Sequence, residues 1–141
     1  MLQRLAKNNR ATSAVEFALI APFLILLIAS ILAYGSIFAT SLSLQQMVAE
    51  IARATIGGLT DGERKLLAQT KLNAIAADYP MLDASKVTFA FDASSGTEVS
   101  RVTLRYDMST HPAYTFDKLL PLPESPLIYS LIVTDGNGVT S

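Results

Sequence analysis

The sequence predicts an α+β protein with a long N-terminal transmembrane helix, a second, amphipathic helix, and a small antiparallel sheet of about three strands. Three observations predict it. No charged residue stands between Glu16 and Glu50, helical periodicity extends as far as Tyr79, and two later segments alternate apolar and polar residues one by one. With 141 residues, half of them apolar, the chain suffices for one membrane segment and one small domain, not for two sizeable cores.

The first helix rests on the stretch "RATSAVEFALIAPFLILLIASILAYG", residues 10–35, and on the uncharged residues after it. Phe17 to Leu42 would extend about 39 Å as a helix, more than the ~30 Å of bilayer hydrocarbon. A cleavable secretory signal has an apolar core of only about 7–15 residues. A buried core helix is the other alternative, but the remaining chain is too short to wrap a helix that is apolar on every face. Arg4, Lys7 and Arg10 precede Glu16 without an acidic residue, whereas Glu50 and Arg53 come after the run with opposite signs. This places the N-terminus in the cytoplasm and translocates the chain after about residue 45. From Glu50 onward eight Lys and Arg face eleven Asp and Glu, a net charge of −3, which argues against nucleic acid as a partner. There is no cysteine, hence no disulfide and no thiolate metal site.

The helical pattern continues beyond the membrane to Ala54, with no breaker before Gly57 and Gly58. Leu44, Met47, Val48 and Ile51 recur at helical spacing and form one apolar stripe toward the soluble domain. The second helix lies in "LTDGERKLLAQTKLNAIAADYP". Thr60 and Glu63 have capping-box spacing, Ala68, Leu72, Ile75 and Tyr79 share a face, and Pro80 ends it. In "KVTFAFD" Val87, Phe89 and Phe91 alternate with polar or small residues, and in "RVTLRYD" Val102, Leu104 and Tyr106 do the same. The intervening "ASSGTE" has turn chemistry, so the two strands form an antiparallel hairpin. "LIYSLIV", residues 127–133, is a third strand of near-continuous apolar character, reached through a loop containing Pro112, Pro121, Pro123 and Pro126. The domains are therefore a basic leader, 1–11, a long helix, 12–57, with its transmembrane segment at 17–42, and a soluble α+β domain, 58–141.

Catalytic chemistry finds little support. His111, the sole histidine, lies in "MSTHPAY" near Ser109 and Asp117, but no nucleophile signature accompanies it, and an exposed loop histidine is the simpler reading. "TDGNG", residues 134–138, resembles the start of a calcium loop without a downstream glutamate to close it, and reads more simply as a Gly/Asn turn or tail. No phosphate-cradling glycine loop occurs. Neither a cofactor nor a small-molecule substrate is expected.

Glu16 is the residue that needs a purpose, because an ionised carboxylate beside hydrocarbon is costly unless paired. Ser13 and Glu16 have capping-box spacing, so it could cap the helix and complement its dipole. It could also pair charges during assembly. The basic leader, the small residue after it and "TSAVEFALIAPFLILLI", with Glu16 followed by Phe17, resemble the N-terminus of TadE-like minor pilins of the tight-adherence (Flp, type IVc) pilus system. "QQMVAEIARATIGG" and "VTLRYDM" resemble that family too.

The resemblance implies an inner-membrane subunit with a periplasmic domain, cut by a prepilin peptidase so that the glutamate becomes the fifth mature residue. The cut then falls between Ala11 and Thr12 and removes Arg4, Lys7 and Arg10. Its expected partners are other pilin and pseudopilin subunits, the peptidase, the Tad machinery and the lipid bilayer. Cleavage would expose an α-amine at Thr12, cationic in part or whole near neutral pH. In a fibre of axially offset helices that amine could meet the glutamate of a neighbour, setting register while apolar packing supplies the adhesion. The same carboxylate could instead reach its own N-terminus within one turn. The family usually has glycine before the cut, where this chain has Ala11. Pro22 removes a backbone bond and either kinks the helix or is tolerated as membrane-helix prolines are. Two alternatives stand beside this reading: a permanent single-pass anchor whose periplasmic domain recruits a partner, and a secreted binding module whose apolar segment is removed.

Overall fold

A computed structural model describes residues 9–93 and 99–134, with side chains from Thr12 onward. Helix α1 runs from Asn9 to Thr55 without interruption, 47 residues with Pro22 inside it. It ends just before the Gly57–Gly58 pair, where Ile56 N–H and Gly58 N–H donate to the carbonyls of Arg53 and Thr55. Glycine's backbone entropy makes continuing the helix there unfavourable.

Helix α2, Asp61–Ile75, begins with the predicted capping box. Thr60 Oγ1 accepts from Glu63 N–H at 3.2 Å, and the Glu63 carboxylate accepts from Thr60 N–H at 3.3 Å and Leu59 N–H at 2.9 Å. These bonds satisfy donors that a helix start otherwise leaves unpaired. Regular helix stops one turn earlier than the sequence suggests, with Ala76–Asp78 tightening into a 3-10 turn. The predicted face holds nonetheless: Ala68 and Ile75 are buried, and Leu72 and Tyr79 pack against the same core.

Strands β1 (Val87–Ala93), β2 (Val99–Tyr106) and β3 (Leu127–Thr134) form one antiparallel sheet in the order β1-β2-β3. Phe89 pairs with Leu104, and Leu104 with Tyr129. The predicted turn at 94–98 lies outside the described residues. The alternation does what it promised: Val102, Leu104 and Tyr106 are buried on β2, while Arg101 and Arg105 are exposed on its other face. β3 differs from its near-continuous apolar reading. Ile128 and Ile132 pair with Arg105 and Arg101 on the uncovered face and stay about half exposed, because both helices pack on the opposite face.

The core forms where α2, the sheet and the 3-10 turn at Pro112–Phe116 meet the second half of α1. The α1 stripe is longer than the four residues predicted. Ala33, Ile37 and Thr40 are buried ahead of Leu44, Met47, Val48 and Ile51, and Thr55 is buried after them. At the upper end of this contact, the Tyr34 hydroxyl donates to the Pro121 carbonyl at 2.6 Å. The expected transmembrane segment 17–42 therefore overlaps, from Ala33, a stretch that packs against the domain.

Candidate functional site: the free half of the long helix

From Thr12 to Leu32 no side chain of α1 is buried, and the large residues Phe17, Leu19, Ile20, Phe23, Ile25, Ile31 and Leu32 are each more than 60% exposed. This is one helix long and apolar enough to cross a membrane. At about 1.5 Å per residue, Thr12–Leu32 rises some 30 Å, the thickness of the hydrocarbon. Several hydroxyls along α1 are satisfied by the helix itself. Ser30 Oγ donates to the Leu26 carbonyl at 2.7 Å, and Thr40 Oγ1 to the Ser36 carbonyl at 2.9 Å, one turn back in each case.

Glu16 sits exposed at the head of this segment, beside Phe17, with Thr12 one turn before it on the same face. The capping-box alternative for Ser13 and Glu16 is not what the structure has. α1 already begins at Asn9, which puts Ser13 inside the helix and not at an N-cap. Ala11 belongs to the helical backbone, while its side chain and leader residues 1–8 lie outside the described residues. Pro22 is exposed and helix continues on both sides of it.

A second polar group of interest joins the two helices and was missed by sequence reasoning. Glu50 on α1 receives Lys71 Nζ at 3.1 Å and the Tyr79 hydroxyl at 3.1 Å. The Lys71 ammonium first, and Tyr79 second, hold its carboxyl below the usual carboxylate range. Burial, reinforced by Glu50, pushes the Tyr79 phenol up. The signal was present, since Glu50 falls on the edge of the apolar stripe, but only the fold says that Lys71 faces it. Arg64 was missed too. It is buried, with Nε donating to the Gly58 carbonyl at 3.0 Å, which ties the α1–α2 turn to α2.

His111 is engaged in a local turn. Its Nδ1 accepts from Ala113 N–H at 3.2 Å, capping the 3-10 turn that packs against α1. Burial first, and the nearby Lys86 second, lower its pKa and favour the neutral ring that can accept this bond. The Ser109 backbone N–H donates to Asp107 Oδ1 at 2.8 Å, and the Asp117 backbone N–H to the Tyr114 carbonyl at 3.2 Å, so the backbone at both neighbours is held in local turns. Of "TDGNG", only Thr134 lies among the described residues.

The class of protein that fold and site define is thus a small α+β head carried on the second half of a helix whose first half can span a bilayer. Residues 11–53 match the family model of TadE-like protein, the family that the N-terminal motif resembles. The matched segment is α1 from the residue before the expected cut through both its free and its packed halves, and includes Glu16, Phe17, Pro22 and the stripe to Ile51. The similar-looking "VTLRYDM" lies outside it. No curated protein and no solved structure matches the chain.

Proposed function

We propose that the chain is a minor pilin or pseudopilin that helps assemble a Flp-type (Tad, type IVc) pilus by priming or capping the fibre, without chemistry of its own. The reading is carried by the coincidence of two independent observations on one segment. The residues that match the TadE-like model begin with the helix half that the protein's own core leaves uncovered. An apolar helix about as long as the hydrocarbon is thick fits a bilayer, and the same surface fits a bundle of like helices once it leaves the lipid. The chain is held in the inner membrane with its N-terminus in the cytoplasm and its head in the periplasm, consistent with Arg4, Lys7 and Arg10 on one side.

In this reading a prepilin peptidase cuts between Ala11 and Thr12. Cutting there turns an internal helical turn into a free N-terminus, with the Thr12 amine and the Glu16 carboxylate one turn apart. Either the subunit's own amine or that of an adjoining pilin then neutralises Glu16. The pair specifies register, since an ion pair withdrawn from water gains little net energy. Helix packing supplies the adhesion.

Mass spectrometry of membrane-extracted protein should find Thr12 as the first residue. Glu16→Ala should insert normally and cut piliation by about tenfold or more, the loss expected when a buried charge is left without its partner. Normal piliation in that variant would remove the pairing role. A mature protein that keeps Met1 in cells with an active peptidase would favour the permanent anchor instead.

A further inference from the structure

We infer that the loop at Lys118–Leu119 is a second membrane contact, a foot by which the head rests on the bilayer surface beside its own helix. The inference rests on the reading of Thr12–Leu32 as the span and adds a contact that the helix alone does not require. The head first meets α1 at Ala33, and its upper boundary is the bond from the Tyr34 hydroxyl to the Pro121 carbonyl. With about 30 Å of hydrocarbon filled by the residues before Ala33, that bond lies at the membrane interface, a depth that tyrosines favour.

Leu119 precedes Pro121 by two residues, which places its backbone within about 7 Å of this level. Its position is well fixed. Leu119 N–H and Leu120 N–H both donate to the Phe116 carbonyl at 2.9 Å, and Leu120 is buried in the core. Leu119 itself is 68% exposed. An exposed leucine held rigidly next to a buried one, two residues before an interfacial hydrogen bond, has a natural solvent in the acyl boundary, which amphipathic surfaces enter by about 5–10 Å. On α1, Phe38 is 65% exposed one turn beyond Tyr34, so exposed apolar surface continues along the same helix face for about 6 Å past this level. Lys118 is exposed beside Leu119 and can lay its stem along the interface with its ammonium among headgroups.

The occupant is the lipid interface and not a soluble peptide, because the Tyr34–Pro121 bond ties this loop to α1 at the level where the span leaves the hydrocarbon. Two contacts, span and foot, restrain the head against tilting, which one helix through the bilayer does not do.

The absence of cysteine makes the test clean. Single variants Leu119→Cys, Leu24→Cys and Leu59→Cys of the full chain would each be labelled with an environment-sensitive fluorophore. They would be reconstituted in phosphatidylethanolamine/phosphatidylglycerol vesicles carrying spin-labelled acyl chains. Leu59 is the control, 86% exposed in the α1–α2 turn at the far end of the head. Position 119 should be quenched about twofold or more by a shallow spin label, position 24 by a deep one, and position 59 by neither. If position 24 is quenched while position 119 behaves like position 59, the foot is wrong and the span stands. If neither 24 nor 119 is quenched, both fall.

Discussion

Between Thr12 and Leu32 no side chain of α1 is buried, whereas between Ala33 and Thr55 every third or fourth one is. The two halves belong to one unbroken helix, and from Phe17 to Ala49 neither carries a charge. Their difference lies in distribution. From Leu44 on, the packed half confines its need for cover to one stripe and carries Gln45, Gln46 and Arg53 exposed outside it, while Phe38 and Leu42 nearer the free half stay exposed. The free half is apolar around its circumference. A helix of the first kind can be satisfied by one domain, and a helix of the second kind only by lipid or by several other helices.

The comparison can be broken by measuring how strongly each half is coupled to the head. Ile51 is fully buried, so Ile51→Ala should cost the head about 2–4 kcal/mol. Leu27, 57% exposed in the free half, should change head stability by no more than about 0.5 kcal/mol when made Ala. Urea unfolding of the full chain in mild detergent would read both, and equal losses would mean that the halves are not separate.

Two glycines sharpen the same contrast. A Cβ at Gly58 would stand 2.7 Å from Arg64 Cγ and 2.8 Å from Arg64 N, so Gly58→Ala should destabilise the head by about 1–3 kcal/mol. At Gly35, near the junction of the halves, a Cβ meets nothing within 4 Å. Gly35→Ala should be neutral or stabilise α1 by up to about 1 kcal/mol, read as the detergent-phase melting temperature of each variant.

The smallest expected effect is on pH. His111, Glu50, Asp83 and Asp107 all titrate lower in the folded head than is usual for their types. In each case the unfolded chain binds more protons, so stability is complete at high pH and falls with acid. The loss should begin as pH drops through about 6.5, where an unfolded histidine protonates, and steepen below about 4.5 as the carboxylates protonate in turn. Glu50→Gln should flatten part of the steeper section of the urea-midpoint profile in detergent, while the helicity of the free half stays constant.

Much of the fold is readable in the sequence, and the parts that are not have specific reasons. The strands at 87–92 and 101–106 were legible because a two-residue period survives wherever one face meets water. The capping box was legible because Thr60 and Glu63 are local chemistry. Ala33, Ile37 and Thr40 were invisible because a stripe is recognised by contrast, and a run apolar on all sides has none. Ile128 and Ile132 were misleading for the opposite cause: apolar residues suggested cover on both faces, and the chain has helices for only one. Arg64 and Glu50 required the tertiary pairing of α1 with α2. Glu16 and Phe17 fall in the segment that matches the family model, whereas the point, Ala33, at which the head begins to cover α1 could not be read from the sequence.

Because α1 has no joint between its two halves, it acts as a drive shaft. Every residue inserted or removed between Glu16 and Ala33 would turn the head by about 100° about the helix axis and shift it by about 1.5 Å relative to whatever grips the free half. Azimuth and height of the head are thus encoded as a residue count. A two-residue deletion around Ile25 would aim its sheet in nearly the reverse direction without altering one atom of it.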